Sequence, residues 1–147
     1  MKTISQILKG KGNDTWHVTP ETLVFDALKL MAEKDVGALL VMRKGKVAGI
    51  FSERDYARKV ILKGKSSKKI PVSEIMSTQV IFITPDQSCE KGLALMTAAH
   101  VRHLPVFEGE SLIGVVSIGD LVNAVMSEQK QVIDKLEQHI LENMSLT

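Results

Sequence analysis

Two segments of this 147-residue chain repeat each other. Residues 18–56 align without a gap with residues 83–121, and both segments end in the pattern Gly-x-x-Ser-x-x-Asp. An internal repeat indicates that one supersecondary unit is used more than once. Chance similarity between two small α/β pieces does not account for ungapped agreement over this length. The chain is therefore predicted to contain two copies of one folding unit.

Each copy has the local pattern of a β-α-β-β-α unit. Apolar residues recur at helical spacing in 23–31, and two short strand-like runs follow in 38–42 and 46–51. A second helix is predicted from Ser52 in the first copy and from Ser117 in the second. One such unit cannot bury its sheet face alone. The predicted fold class is α+β (α/β), with two repeats packed sheet to sheet in pseudo-twofold symmetry.

The repeat extends further upstream, because residues 3–8 resemble residues 71–76. Each copy is therefore predicted to begin with a short amphipathic segment. The lysine-rich connection between the copies is interpreted as a flexible, solvated linker rather than a phosphate site. The predicted organisation is a first repeat in 1–62, a basic linker in 63–70, a second repeat in 71–125 and a C-terminal helix in 126–147.

Composition excludes several classes of protein. Apolar residues make up 44% of the chain and aromatic residues 4%, which predicts an aliphatic core. The formal charge of +2 falls short of the clustered excess typical of nucleic-acid binders. The chain has no apolar run long enough to cross a membrane. Cys89 is the single cysteine, and we expect a cytoplasmic protein.

With these motifs in view, the sequence resembles the CBS-domain family. Both copies carry a Thr-Pro pair, a helix ending near Leu-x-Leu-Met, a short strand and the closing Gly-x-x-Ser-x-x-Asp. The second copy adds Val-Arg-His-Leu-Pro-Val in 101–106, a form common in the family. Tandem pairs of this kind, called Bateman modules, typically bind adenosine-containing ligands such as AMP, ADP, ATP, NAD or S-adenosylmethionine. The resemblance implies a ligand such as AMP, ADP, ATP or NAD(H), with no required cofactor.

The closing Ser-x-x-Asp of each copy has two interpretations. Ser52 with Asp55 is typical of a capping box, which would stabilise a helix start by about 1 kcal/mol. The same helix start also suits a phosphate, because it offers unpaired N–H groups and the positive end of a helix dipole. The Asp could then accept hydrogen bonds from a ribose diol. The duplicated context and the family pattern favour the ligand interpretation.

The two copies differ at the residues that would face such a ligand. Arg102-His103 in the second copy replaces Gly37-Ala38, and charge-assisted hydrogen bonds to phosphate are about twice as strong as neutral ones. Strand neighbours face opposite sides, so one of the pair could instead lie in solvent. Thr22 is either a ligand contact or a helix-start residue, and Pro105 follows the family pattern. The predicted nucleotide-binding residues are Thr22, Gly37, Ala38, Ser52, Arg54, Asp55, Arg102, His103, Pro105, Ser117, Ile118, Gly119 and Asp120.

The leading hypothesis is a sensor of adenine nucleotides, which acts on an unidentified protein target in trans. The tail 123–144 has helical apolar spacing. It could pack back on its own domain or pair in a homodimer, and the homodimer is favoured because related tandem pairs commonly dimerise. No catalytic residue and no metal ligand is predicted, because the serines and aspartates have no obvious His partner in sequence. Two alternatives remain: a nucleic-acid-binding accessory protein that uses the basic linker, and a nucleotide-processing enzyme.

Overall fold

A computed structural model describes residues 1–145, so the last two residues of the predicted C-terminal helix, 146–147, lie outside the described residues. The chain forms two compact units. One runs from Thr15 to Val80, and the other combines Met1–Asp14 with the chain from Ile81 onward. The elements in chain order are α1 Ile4–Lys11, β1 His17–Val18, α2 Val24–Lys34, β2 Ala38–Arg43, β3 Lys46–Ser52, α3 Glu53–Tyr56, a π-helix Ala57–Ile61, a 3₁₀-helix Val72–Glu74, α4 Cys89–Ala99, β4 His103–Glu108, β5 Ser111–Ser117 and α5 Ile118–Ser145.

The opening segments of the repeats do not pack in the units that the domain prediction gave them. Ile4 and Leu8 of α1 are buried in the core of the second repeat, together with Leu104 and Leu121. In the same way, Val72 and Ile75 are buried in the core of the first repeat. The two compact units therefore divide the chain elsewhere than at 1–62 and 71–125, because each amphipathic segment buries its apolar face in the unit of the other copy.

In each repeat, a glycine lies against the amphipathic segment that comes from the other copy. A Cβ added at Gly114 would lie 2.7 Å from a methyl carbon of Leu8 in α1. A Cβ at the equivalent Gly49 would lie 2.7 Å from the Met76 sulfur and also 2.7 Å from the backbone oxygen of Ser77. The absence of a side chain at these two positions is therefore what allows the close approach.

The strands follow the predicted pattern, with one difference between the copies. β2 and β3 are antiparallel, as are β4 and β5, and β1 runs parallel to β2. The segment equivalent to β1 in the second repeat is reduced to a single bridge, Ile83 to Val106. In the first repeat the Leu40 N–H donates to the Trp16 carbonyl (3.3 Å). Pro105 stands at the equivalent position and has no N–H to donate, which explains the shorter pairing.

Backbone hydrogen bonds hold one end of the basic linker, while its lysine side chains are exposed. The carbonyls of Ser67 and Ile70 accept hydrogen bonds from the N–H groups of Phe25 (2.9 Å) and Val24 (3.0 Å). These N–H groups open α2, whose N-cap residue Leu23 supplies no side-chain acceptor. The Lys68 ammonium also lies over the Phe25 ring, 4.9 Å from its centroid. These contacts hold residues 67–70 beside the start of α2, and the exposed lysines agree with a solvated segment.

The closing helix of the second repeat and the predicted C-terminal helix are one element. α5 runs without a break over 28 residues, from Ile118 to Ser145. No residue at the predicted boundary of 125/126 interrupts its hydrogen-bonded backbone. Within residues 1–145, no helix has the length and apolar character that a membrane span needs.

The two exchange glycines give a matched prediction. Replacing Gly49 with Ala should lower the free energy of unfolding by about 1–3 kcal/mol, because the new methyl group meets a backbone oxygen that cannot rotate away. Replacing Gly114 with Ala should cost less, since the Leu8 side chain can change its rotamer. Urea unfolding of both variants measures the difference. Equal losses would contradict this account of the close approach.

Candidate functional site

In the unit 15–80, a capping box closes the junction between β3 and α3. The Asp55 N–H donates to the Ser52 hydroxyl oxygen (3.2 Å), and the Ser52 N–H donates to the Asp55 carboxylate (3.0 Å). The Ser52 hydroxyl also donates to the same carboxylate oxygen (3.1 Å). The predicted capping box is confirmed. It fixes the hydroxyl and the carboxylate side by side at the first turn of the helix.

The other unit repeats this arrangement at the junction of β5 and α5. The Asp120 N–H donates to the Ser117 hydroxyl oxygen (3.1 Å), and the Ser117 N–H donates to Asp120 Oδ2 (2.8 Å). The same two residue types, at the same spacing, therefore give the same local geometry. We call the two places the Ser52–Asp55 junction and the Ser117–Asp120 junction.

The neighbouring strand brings the asymmetric pair of residues to each junction. Ala38 lies opposite Ser52 in the β2–β3 ladder, and His103 lies opposite Ser117 in the β4–β5 ladder. The carbonyl of Gly37 accepts a hydrogen bond from the Glu53 N–H (3.1 Å). In the other unit, the carbonyl of Arg102 accepts one from the Ile118 N–H (2.9 Å). The register and these hydrogen bonds therefore bring Gly37-Ala38 and Arg102-His103 beside the helix starts.

A lysine ammonium contacts the carboxylate at each junction, and the two lysines come from different places. Lys59 Nζ lies 3.2 Å from Asp55 Oδ1, one turn further along the chain. Lys11 Nζ, at the end of α1, lies 2.7 Å from Asp120 Oδ2 and donates to the Val115 carbonyl (2.8 Å). Sequence analysis missed Lys11, because the contact depends on the packing of α1 in the unit of the second repeat.

The charges at the Ser117–Asp120 junction act on one another. Burial raises the pKa of Asp120, but hydrogen bonds from Lys11 and Ser117 and the Lys11 charge outweigh it, so this pKa lies below its ordinary value. Burial lowers the pKa of His103, and the charges of Lys11 and Arg102 lower it further against the opposing effect of Asp120. Near neutral pH the junction therefore presents a carboxylate, an ammonium and an uncharged imidazole.

The first turn of α5 is open toward solvent. The N–H groups of Ile118 and Asp120 are paired, as described above, whereas the Gly119 N–H has no acceptor in the part of the chain that the structure describes. A Cβ at Gly119 would meet only the Ser117 hydroxyl, at 3.7 Å. Ile118 is 40% exposed. The junction therefore offers a free backbone donor beside an exposed apolar side chain.

Two predicted site residues have their hydrogen bonds elsewhere. The Thr22 hydroxyl accepts from the Thr19 N–H (3.2 Å), and the Thr22 carbonyl accepts from the Val72 N–H (2.8 Å). Pro105 is a buried strand residue opposite Val115. Arg54 is exposed in the first turn of α3. Within residues 1–145, no hydrogen bond joins Thr22 or Pro105 to either junction.

A histidine lies beside the Ser117–Asp120 junction. His103 lies across from Ser117, which sequence analysis did not foresee, but no hydrogen bond joins this ring to the Ser117 hydroxyl among the described residues. That hydroxyl accepts from the Asp120 N–H, and the Asp120 carboxylate contacts the Lys11 ammonium.

Comparison with known proteins places this two-repeat fold in a family. A model described as "CBS domain" matches residues 13–62 and 72–127. The chain therefore belongs to the CBS-domain family, as a small protein with two tandem CBS domains. This family match confirms the resemblance found in the sequence.

Individual relatives agree with this assignment. A protein of Arabidopsis thaliana described as "CBS domain-containing protein CBSX3, mitochondrial" is 40% identical over 94% of this chain and 71% of its own length. CBS domain-containing protein YhcV of Bacillus subtilis is 34% identical over 76% of this chain and 79% of its own. A solved structure of a protein with CBS domains from Burkholderia ambifaria is 50% identical, with a TM-score of 0.83 over 87% of this chain and 96% of that one. The predicted mixed α/β class with two β-α-β-β-α repeats is thereby confirmed.

The lowered pKa of Asp120 predicts an acid-dependent stability. A carboxylate whose pKa is depressed in the folded state stabilises it above the unfolded pKa of about 3.9, and this contribution is lost as pH falls through the folded pKa. Asp120→Asn should therefore be less stable at pH 7 and lose less stability below about pH 4. Chemical unfolding between pH 2 and pH 7 measures both, with Glu110→Gln as a control at an exposed carboxylate. If the free energy of unfolding changed with pH in the same way for Asp120→Asn and for the wild type, the lowered pKa of Asp120 would be contradicted.

Proposed function

We propose that this protein is a regulatory module that binds an adenine nucleotide at the Ser117–Asp120 junction. The observation that carries the proposal is the meeting of three groups at one place: the N-terminus of a long helix, a carboxylate and a lysine ammonium. The adenosine class of ligand, AMP, ADP, ATP or NAD(H), is implied by the family. No cofactor is required for binding.

Each group at this junction has a role toward such a ligand. The Gly119 N–H and the positive end of the α5 dipole would bind a phosphate oxygen. Lys11 Nζ has three donors, of which two are used by Asp120 and Val115, so the third can reach a phosphate. Asp120 would accept the hydrogen bonds of a ribose diol. Exposed Ile118 offers an apolar contact for the base.

The strand residues complete the proposed site. Arg102 is exposed and carries a permanent charge, so it would contact phosphate directly. His103 is half-buried, and its lowered pKa makes it an uncharged donor or acceptor near pH 7. At least one of Arg102 and His103 would face the ligand, with Arg102 as the charged contact.

The Ser52–Asp55 junction is proposed as a second site of lower affinity. Its helix α3 has four residues before the backbone changes to a π-helix, so fewer peptide dipoles are aligned toward a ligand. Arg54 is exposed there and could supply a charge, while Gly37 and Ala38 leave room for a base. Thr22 would contact the ribose of a ligand at this site.

Sensing requires that the ligand bind two states of the protein unequally. We propose that these states are two arrangements of a homodimer, which an unidentified protein target distinguishes. A cytoplasmic location is proposed because Cys89 is a buried free thiol, which suits a reducing compartment. The Arabidopsis relative is described as mitochondrial.

No observation favours the two alternatives. The basic segment 63–70 keeps its lysines exposed, but the formal charge of +2 falls short of the clustered excess typical of nucleic-acid binders. An enzyme would need an activated nucleophile, and the Ser117 hydroxyl has the role of a helix cap. We therefore propose binding without turnover.

A thermal-shift panel with AMP, ADP, ATP, NAD, NADH, S-adenosylmethionine and GTP tests the proposal. A ligand at 100 times its dissociation constant adds about 2.7 kcal/mol of stability. For a chain of this size the melting temperature should rise by about 5–10 °C with at least one adenosine compound. The absence of any shift with all adenosine compounds would overturn the proposed function.

Matched variants then locate the site. Lys11→Met should weaken binding of the responding nucleotide by about 10-fold to 100-fold, because a charge-assisted hydrogen bond to phosphate is lost. Lys9→Met removes an exposed lysine from the same helix and should leave affinity unchanged. Asp120→Asn should weaken adenosine and its phosphates alike, since the ribose is common to them. Wild-type affinity in both Lys11→Met and Asp120→Asn would place the ligand elsewhere.

A further inference from the structure

The apolar side chains in the second half of α5 are largely exposed to solvent. Every described side chain from Gln129 to Met144 is exposed, including Ile133 (54%), Leu136 (57%) and Ile140 (57%). An isolated helical segment of this length is marginal in water, and helices in proteins are stabilised mainly by packing of an apolar face. This segment therefore requires a partner that covers its apolar side.

The apolar side of α5 follows the spacing of a coiled coil. Core positions of a coiled coil alternate at intervals of three and four residues, and apolar residues at most of them form a continuous seam. A groove of about 380 Å³ beside this seam, lined by Val125, Val132 and Ile133 among others, extends the apolar surface toward the start of α4. The positions that fit the alternation are Val122, Met126, Gln129, Ile133, Leu136, Ile140 and Asn143.

The charges that flank the seam favour an identical helix as the partner and an antiparallel orientation of the two helices. Lys130 and Glu137 occupy equivalent flanking positions on one side, and Val132 and His139 occupy those on the other. In a parallel pair, the side with Lys130 and Glu137 would face the partner's side with Val132 and His139. Lys130 and Glu137 would then not meet each other. In an antiparallel pair of identical helices, like sides face each other, so a lysine can meet a glutamate.

We propose that two copies of this chain associate through α5, with the two helices antiparallel. The proposal deepens the homodimer of the proposed function by naming its interface. Ile133 of one copy packs against Leu136 of the second copy, and the twofold symmetry creates this contact twice. In the same register Lys130 lies opposite Glu137 of the second copy, again twice. Neither residue has an ion-pair partner within residues 1–145 of its own chain.

The length of the exposed segment fits this register. From Gln129 to Met144 it spans about 24 Å at 1.5 Å per residue. Met126 pairs with Asn143 of the second copy. The last residues of one helix therefore meet the residues at which the exposed part of the other helix begins. The pairing thus uses the exposed segment over its whole length.

Charge reversal in the full-length protein tests the register. Sedimentation equilibrium should show a dimer for the wild type. Lys130→Glu and Glu137→Lys alone should each raise the dimer dissociation constant by about tenfold, because each replaces two attractive pairs with two repulsive ones. The double variant should restore the wild-type value. Lys135→Glu, outside the seam, is the control and should have no effect. A monomeric wild type, or no restoration in the double variant, would overturn the proposal.

Disulfide trapping tests the direction of the helices. In a Cys89→Ser background, a mixture of the Gln129→Cys and Ile140→Cys proteins should form the mixed 129–140 disulfide. Identical positions lie about 16 Å apart along an antiparallel pair, beyond the reach of a disulfide. Homodisulfides at 129 and at 140 without the mixed product would establish a parallel pair and contradict the proposal.

Nucleotide titration of the same variants separates this inference from the proposed function. The seam lies outside both junctions, so Lys130→Glu should still bind the nucleotide that the wild type binds. If every seam variant bound nucleotide and kept an unaltered dimer, the α5 interface would be overturned and the ligand site would be unaffected. A dimer that behaves as predicted but gives no nucleotide response would overturn the ligand site alone.

Discussion

The packing of the N-terminal helix α1 in the unit of the second repeat is the interaction on which the proposed site depends. Ile4 and Leu8 bury their side chains in that core, and Gly114 makes room for Leu8. The same packing carries Lys11 to Asp120 at the end of the helix. A hydrophobic contact thus fixes the position of a charge, and the charge in turn sets the electrostatics of the Ser117–Asp120 junction.

The duplication gives two junctions of the same shape but of different chemistry. At one, α3 ends after a single turn and Lys59 approaches from the π-helix that follows it. At the other, a helix of 28 residues begins, and the lysine arrives from a distant segment. Helix length and the residues at 102–103 are the reasons for proposing the second junction as the stronger anion site. The second half of the same long helix presents the apolar seam proposed for dimerisation.

Sequence reasoning succeeded where structure is determined by near neighbours. The capping boxes depend on residues three apart, and the β-α-β-β-α order depends on local periodicity, so both were predicted. It missed the contacts of Lys11 and of the Ser67 and Ile70 carbonyls, which join segments far apart in the chain. A repeat shows that two segments are alike, but it does not say in which copy a segment packs. The weaker first strand of the second repeat follows from Pro105, whose missing N–H could have been read from the sequence.

The most direct test of the account is to observe which backbone amides respond to a nucleotide. In ¹⁵N-labelled protein titrated with AMP and with ATP, the amide resonances of Ile118, Gly119 and Asp120 should shift, with Gly119 among the most affected because its N–H is the free donor of the first turn. The resonances around Ser52–Asp55 should respond only at higher concentration. A saturable response confined to residues away from both junctions would contradict the central claim, as would spectra unchanged by either nucleotide.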